Sequence, residues 1–240
     1  MALGAFKGLV AAAVVLAGCT ATPVPPMPTP PPMPATPVQP VFVSSSPESA
    51  AARAYYAQVQ QSLLSQGLLR TDGGGPDTPY TDRMLAETFV KIALFDEYAP
   101  GSGGLRAGQS ASTLRRWTGP VRVGLRFGAS VPPDVQATDR ARVASYLARL
   151  SQVTGHPIRL DDRNPNFQVH IVTDDERRRL GPALRAALPG LSAADVGSVT
   201  DMPQSTYCSV LALSNGQSGV YTAAFATIRA EHPDLLRLSC

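Results

Sequence analysis

The sequence predicts an α+β domain in which helices back a mixed or antiparallel β-sheet. Strict alternation of apolar and polar residues at Val121–Phe127 is typical of a half-buried strand. Apolar residues at helical spacing over Thr138–Val153 indicate an amphipathic helix. Near the end of the chain, Cys208–Leu213 and Val220–Ile228 lie on either side of Asn215-Gly216, a pattern that favours a β-hairpin.

The remaining elements follow from the same periodicities and from turn residues. Ser46 or Ser49 can cap the first helix, and Gly155 ends the third. We predict helices at Glu48–Leu69, Thr138–Val153 and Asp174–Leu188, and a helix that runs into an extended piece over Asp82–Phe95. We predict strands at Val121–Phe127, Ile158–Leu160, Phe167–Thr173, Cys208–Leu213 and Val220–Ile228. From the first strand onward the order is β-α-β-β-α-β-β, and residues 48–240 form a single domain.

The first 18 residues have the parts of a secretory signal peptide, namely Lys7, an apolar run at Gly8–Leu16 and small residues before a boundary. Leu16-Ala17-Gly18-Cys19 resembles the lipobox of bacterial lipoprotein precursors. The resemblance implies cleavage before Cys19 and attachment of diacylglyceryl and acyl chains to it, which hold a protein stably on a membrane. Thr20 stands where an aspartate would retain such lipoproteins in the inner membrane, which favours the outer membrane, facing the periplasm. An ordinary signal peptide with a chance cysteine is the alternative.

A proline-rich segment follows at residues 19–47. Ten of the 23 prolines lie between Pro23 and Pro40, so this segment favours an extended, disordered tether over helix or sheet. A docking ligand for an aromatic groove is the alternative.

The formal net charge of the chain is +3, which gives no reason to expect nucleic-acid binding. The lipid anchor therefore makes the membrane the expected partner.

The candidate chemical groups do not form a recognised catalytic or metal motif. His156, His170 and His232 lack the spacing of metal ligands, and Gly-x-Ser-x-Gly does not occur. We expect no metal, no cofactor and no catalytic residue. Asp174-Asp175-Glu176 could hold a cation, but a helix N-terminus explains it equally well. Arg177-Arg178-Arg179 is interpreted as a solvated helix face, with an anion site as the alternative.

Two further pairs of residues carry specific expectations. Arg116 and Trp117 precede the first predicted strand, and the only tryptophan either packs a loop on the sheet or, with Arg116, faces a ligand. With Cys19 lipidated, Cys208 and Cys240 remain as an even pair in an oxidising compartment, so we expect a disulfide between them. Free redox thiols are disfavoured because Cys-x-x-Cys spacing is absent.

Three stretches of the chain resemble one family. They are Leu114-Arg115-Arg116-Trp117-Thr118-Gly119-Pro120-Val121-Arg122-Val123, then Leu150-Ser151-Gln152-Val153-Thr154-Gly155-His156, then Tyr207-Cys208 with Leu238-Ser239-Cys240. The chain from Leu85 to Cys240 is similar to an uncharacterised domain, of unknown function, found in proteobacterial and especially alphaproteobacterial lipoproteins. The resemblance implies a topology like that of zinc-dependent peptidases (zincins), with a helix beginning His-Glu-Glu after the second cysteine.

Two classes of function remain open. Since the chain stops at Cys240, before any such His-Glu-Glu helix, we expect a segment that would carry a metal ligand and a general base to be missing. The first class is a lipoprotein whose periplasmic domain binds an unidentified ligand or serves envelope maintenance. The alternative is a truncated or degenerate metallopeptidase-like protein.

Overall fold

A computed structural model describes residues 45–69, 81–101 and 104–233. These residues belong to the unit Pro40–Cys240. The predicted signal peptide, Cys19, nearly all of the tether and Cys240 lie outside the described residues. Within the described part of the chain, no helix combines the length and the apolar character that crossing a membrane requires.

The described elements confirm the predicted α+β class. The helices are α1 Pro47–Ser65, α2 Asp82–Ala93, α3 Pro133–Thr154, α4 Asp174–Arg177, α5 Gly181–Ala187 and α6 Ala193–Thr200. The strands are β1 Phe95–Gly101, β2 Gly104–Ala111, β3 Val121–Phe127, β4 Ile158–Leu160, β5 Phe167–Val172, β6 Cys208–Asn215 and β7 Val220–Arg229. A 3₁₀ turn at Gly216–Ser218 joins the last two strands.

The main sheet is mixed and has the strand order β4-β3-β5-β7-β6. Strands β4, β3, β5 and β7 run parallel to one another, and β6 runs antiparallel to β7 as the predicted hairpin. Strands β1 and β2 form a separate antiparallel pair, which the sequence analysis did not predict. From β3 onward the predicted order of elements is confirmed, except that α4 and α5 replace one predicted helix and α6 follows as an additional helix.

Strands β4 and β5 lie on opposite sides of β3, and the chain crosses β3 between them. Val123 pairs with Leu160 on one side and with Phe167 on the other. The connection passes so close to the next residue of β3 that a Cβ atom on Gly124 would lie 2.7 Å from the Cβ of Pro165. Only glycine leaves room for this crossing.

Each face of the main sheet has its own apolar cluster. Helix α3 covers one face, where Leu147 packs with Val121 and Val123. Helices α5 and α6 cover part of the other face, where Leu184, Leu188 and Val199 pack on Val172 and Phe225. The helices α4 and α5 leave the polar part of the second face uncovered, where Arg126 of β3 lies beside Gln168 and His170 of β5.

Several predicted helix boundaries are wrong: α1 ends at Ser65 and not at Leu69, and α3 begins at Pro133 and not at Thr138. The helix predicted at Asp174–Leu188 is divided into α4 and α5, because Pro182 lies in the first turn of a new helix and cannot continue the preceding hydrogen-bond ladder. Helix α6 was missed, although Ser192 and Asp195 form a capping box at its start. The predicted end of α3 is confirmed, since its C-cap Gly155 has a left-handed backbone with φ of 66°.

Candidate functional site

The open part of the second sheet face forms a groove between β3, β5 and the helices α4 and α5. We call it the sheet groove, and its volume is about 590 Å³. Cavities of this size accommodate small molecules. Its lining residues are Arg126, Phe127, Gly128, Ala129, Gln168, His170, Val172, Glu176, Arg179, Leu180, Ala183 and Ala186.

His170 lies on the floor of the sheet groove. It is paired with Arg126 across the parallel ladder, and its ring stacks on Phe225 with centroids 4.3 Å apart. The side chain is 8% exposed, and Nε2 lies 3.2 Å from Oε1 of Gln168. Burial, together with the charge of Arg126, lowers the pKa of His170 to about 4. The imidazole is therefore neutral at neutral pH and offers one donor and one acceptor.

Arg126 is fixed at the groove by the loop that crosses β3. Its guanidinium lies 3.3 Å from the carboxylate of Asp162 and donates to the Asp162 carbonyl at 2.7 Å. The same carboxylate binds Arg140 at 2.8 Å and accepts from the Leu125 amide at 2.8 Å. Burial opposes ionisation of Asp162, but these donors outweigh it and lower its pKa.

Glu176 forms a wall of the groove and joins the ends of β3 and β5. Its carboxylate accepts from the Thr173 amide, the Thr173 hydroxyl and the Ser130 amide, each at 2.9 Å. Burial raises the pKa of Glu176, but these hydrogen bonds outweigh it and the net shift is downward. The carboxylate also occupies the space of a Cβ at Gly128, 1.7 Å from its Oε2. Glu176 therefore holds the groove together and is a poor proton acceptor.

Arg179 lies at the groove and is exposed. In the described ranges, no carboxylate forms an ion pair with it, unlike Arg126. A guanidinium with free donors binds carboxylate and phosphate groups. Together with the neutral imidazole and the amide of Gln168, it can bind a small polar anion.

A second polar group of residues lies at the carboxyl ends of β5 and β7. We call Asp174, Arg177, Arg178 and Arg229 the ionic cluster. The Asp174 carboxylate binds Arg177 at 2.6 Å, Arg178 at 2.5 Å and Arg229 at 2.5 Å. Burial opposes ionisation of Asp174, but the hydrogen bonds from Arg177 and Arg229 lower its pKa to about 2.

The interpretation of the basic run as a solvated helix face is wrong for Arg177, whereas Arg178 and Arg179 are exposed as expected. Arg177 is only 2% exposed, and it donates to the carbonyls of Val199 and Thr200. Its guanidinium therefore joins α4 to the end of α6. Arg178 points outward with 60% of its side chain exposed. Asp174 binds these arginines, and Glu176 accepts hydrogen bonds from Thr173 at the start of α4.

A smaller cavity, of about 200 Å³, lies between the start of α3 and the end of β7. Its lining includes Asp139 and His232, which are 5% and 7% exposed. Among the residues that the structure describes, no group of three or more His, Cys, Asp or Glu side chains could hold a metal ion. The expectation that the chain carries no catalytic zinc stays a prediction.

The other predicted site residues have the following places. Trp117 packs against the cluster of Val121, Val123 and Leu147, and its ring lies 5.7 Å from that of Tyr221. Arg116 is exposed, while its backbone forms hydrogen bonds with the backbone of Gly219 and Tyr221 at the start of β7.

Cys208 begins β6 and is disulfide-bonded. A ligand contact of Arg116 and Trp117 and the pairing of Cys208 with Cys240 stay predictions.

Comparison with protein families gives one match. The family described as a protein of unknown function (DUF2927) matches residues 82–240. The chain belongs to this family. This confirms the predicted membership in an uncharacterised family, whereas the lipoprotein character and the zincin-like topology stay expectations. No curated protein and no solved structure gives a significant match.

Helix α1 precedes the part of the chain that matches DUF2927, yet it packs against that part. Tyr56 is fully buried and its hydroxyl donates to the Gln204 carbonyl at 2.8 Å. The Ser49 hydroxyl donates at 2.7 Å to Glu231, which also accepts from the Asp174 amide at 2.6 Å. Burial raises the pKa of Tyr56 to about 12. The folded DUF2927 domain of this chain therefore includes α1.

The sheet groove is not among the predicted sites. His170 falls on a predicted strand without a partner at metal-ligand spacing, and Arg126, Asp162 and Gln168 are not among the candidate residues. The spacing of Thr173 and Glu176 is that of a capping box and could have indicated the role of Glu176. The pairing of β3 with β5, which brings Arg126 beside His170, has no local signal.

Proposed function

We propose that this chain is a bacterial lipoprotein, anchored to a membrane through Cys19, whose periplasmic domain binds a small organic anion in the sheet groove. The observation that carries the binding function is the floor of the groove. There, the neutral and largely buried His170 lies beside Gln168 and opens onto about 590 Å³.

The anchor is supported by the sequence alone. A short apolar run ends in Leu-Ala-Gly-Cys, and proline-rich residues follow at once. If fully extended at about 3.1 Å per residue, residues 20–47 could place the domain on the order of 85 Å from the membrane. A domain held in this way reaches ligands of the periplasm without inserting into the lipid.

The choice of an anion is supported by the charges at the groove. Glu176 is engaged by amide and hydroxyl donors, and Arg126 is engaged by Asp162. Arg179 is the remaining charged residue that lines the groove. A carboxylate or phosphate group bound by Arg179 would leave the rest of the molecule over His170 and Gln168.

Acyl labelling tests the anchor. In cells that express the full-length chain, we expect labelled fatty acid on the protein and recovery with the membrane fraction. The Cys19→Ala variant should lose both. Retention of label and membrane association in Cys19→Ala would contradict the proposed anchor.

Binding is tested with succinate and inorganic phosphate, each titrated separately into the protein. We expect the imidazole NMR signals of His170 to shift with at least one of the two anions. Arg179→Gln should weaken the apparent affinity roughly tenfold, which is about 1.4 kcal/mol. Arg185→Gln is the matched control. It removes the same charge from α5, but Arg185 is exposed and does not line the groove. Signals of His170 that neither anion changes would refute the binding proposal.

A further inference from the structure

Strand β6 forms one edge of the main sheet. Its eight residues, Cys208–Asn215, include no charged residue and no proline. Sheet edges are commonly protected from pairing by charges, prolines or bulges. The register with β7 shifts only after Leu213, so the preceding part of β6 is regular.

The direction of the backbone groups of β6 follows from the hydrogen bonds of β7. The Ala224 and Ala230 amides donate toward β5, to Asn166 and Val172, whereas the Arg229 amide donates toward β6, to Tyr207. Because neighbouring residues of a strand alternate in direction, Ser209 and Leu211 face β7. The amides and carbonyls of Val210 and Ala212 therefore point away from the sheet, and no described residue pairs with them.

We propose that this edge is the contact surface for a second copy of the chain. The two β6 strands pair antiparallel about a two-fold axis beside Leu211, so that Val210 of each copy lies opposite Ala212 of the other. In this register all the outward amides and carbonyls of Val210 and Ala212 are hydrogen-bonded. The two five-stranded sheets become one continuous sheet.

A second copy fits the edge because the strand is complementary to itself. An isologous contact brings the same patch of both copies together, so a charge at position 210 or 212 would lie diagonally about 7–8 Å from the same charge on the other copy. Strand β6 has none to repel its partner. The side chain of Val210 is already 47% exposed and gains an apolar neighbour in the pair.

The test uses the full-length protein in a density-matched detergent. Sedimentation equilibrium should show a monomer–dimer equilibrium. Val210→Lys should weaken the dimer by roughly tenfold or more, because a charge on an edge strand opposes pairing. Val210→Thr, which keeps the β-branched shape without charge, is the matched control and should change the dissociation constant less than about threefold. Thermal unfolding of each variant checks the fold of the monomer.

Amide exchange provides the second measurement and does not depend on a variant. The Val210 and Ala212 amides should become protected as the protein concentration rises through the dimer range. The Ser209 and Leu211 amides, which face β7, should be protected at every concentration. A protein that stays monomeric, or a dimer in which the Val210 and Ala212 amides exchange as in the monomer, would overturn the proposal. A monomer that instead takes up a peptide strand at β6 would also overturn it.

Discussion

His170 stacks on Phe225 within the sheet, and its burial makes the pKa of His170 lower in the folded chain than in the unfolded chain. The unfolded chain binds a proton near the ordinary pKa of 6.5, whereas the folded chain binds it only near pH 4. Between these values the unfolded state binds more protons. The free energy of unfolding therefore falls as the pH is lowered from 6.5 to 4.

We predict that His170→Phe flattens this pH dependence, because it keeps an aromatic ring against Phe225 and removes the titrating group. The shift corresponds to roughly 3 kcal/mol between neutral pH and pH 4. Urea unfolding at several pH values measures it. His156→Gln is the control for the loss of a histidine, since His156 contacts the Gly119 carbonyl away from the groove. An unchanged slope in His170→Phe would show that other groups cause it.

Asp174 provides a second prediction at this scale. Its folded-state pKa of about 2 lies below its ordinary 3.8, so its stabilisation is present above pH 3.8 and is lost as the pH falls toward 2. Asp174→Asn leaves Arg177 and Arg229, each with 3% of its side chain exposed, without their counter-charge. We expect a loss of about 3 kcal/mol or more in the free energy of unfolding at neutral pH.

The control for Asp174→Asn is Arg178→Gln. Arg178 binds the same carboxylate but is mostly exposed, so its removal should cost less than about 1 kcal/mol. Denaturant titration of both variants distinguishes them. Equal losses would mean that burial of the ionic cluster does not determine its contribution.

At the scale of elements, the crossing of β3 by the connection between β4 and β5 depends on one glycine. The crossing positions Asp162, which in turn holds Arg126 at the sheet groove. The crossing also places Asp162 beside β3, where the Asp162 carboxylate accepts a hydrogen bond from the Leu125 amide. The loop therefore shapes the groove. It also provides a hydrogen-bond acceptor for the Leu125 amide of β3, which β4 is too short to reach.

We predict that Gly124→Ala destabilises the domain by about 1–3 kcal/mol, because the added methyl group would meet Pro165 and force the loop to move. Gly119→Ala is the matched control, since nothing lies within 4 Å of a Cβ at that position. It should change stability by less than about 0.5 kcal/mol. Thermal or urea unfolding compares the two. A Gly124→Ala protein as stable as the control would contradict the described crossing.

At the scale of the whole molecule, the predicted lipid anchor at Cys19 and the predicted bond of Cys208 to Cys240 involve the two terminal regions of the chain. Cys208 is disulfide-bonded at the start of β6, and α1 binds the carboxyl ends of β5 and β7 through Glu231. The first helix after the predicted tether thus contacts the carboxyl end of the last strand of the sheet.

We predict that Cys208 and Cys240 are bonded to each other. A loop of about 32 residues closed in this way stabilises a fold by roughly 3–4 kcal/mol in the chain-entropy model. Thiol alkylation of the unfolded, non-reduced protein should label neither cysteine, and mass spectrometry of a digest should recover the two joined peptides. Full labelling of both cysteines would contradict the pairing.

The local patterns of the sequence determined the class of the fold and most of its elements. The alternation of β3, the glycine at the end of α3 and the Asn215-Gly216 turn were sufficient because each depends on neighbouring residues. Strands β1 and β2 were missed, since Phe95–Gly101 and Gly104–Ala111 contain glycine and polar residues without alternation. The Leu-Ala-Gly-Cys boundary likewise lies within four consecutive residues, so the expectation of an anchor needed no tertiary information.

Only the tertiary structure decided the order of the strands and the chemistry of the groove. Arg126 and His170 are distant in the sequence. They become neighbours because β5 pairs with β3 on the side opposite to β4. The buried state of Arg177 depends on the carbonyls of α6, which no pattern within Arg177-Arg178-Arg179 indicates. Protonation and charge pairing depend on solvent exclusion, and solvent is excluded by residues that are far apart along the chain.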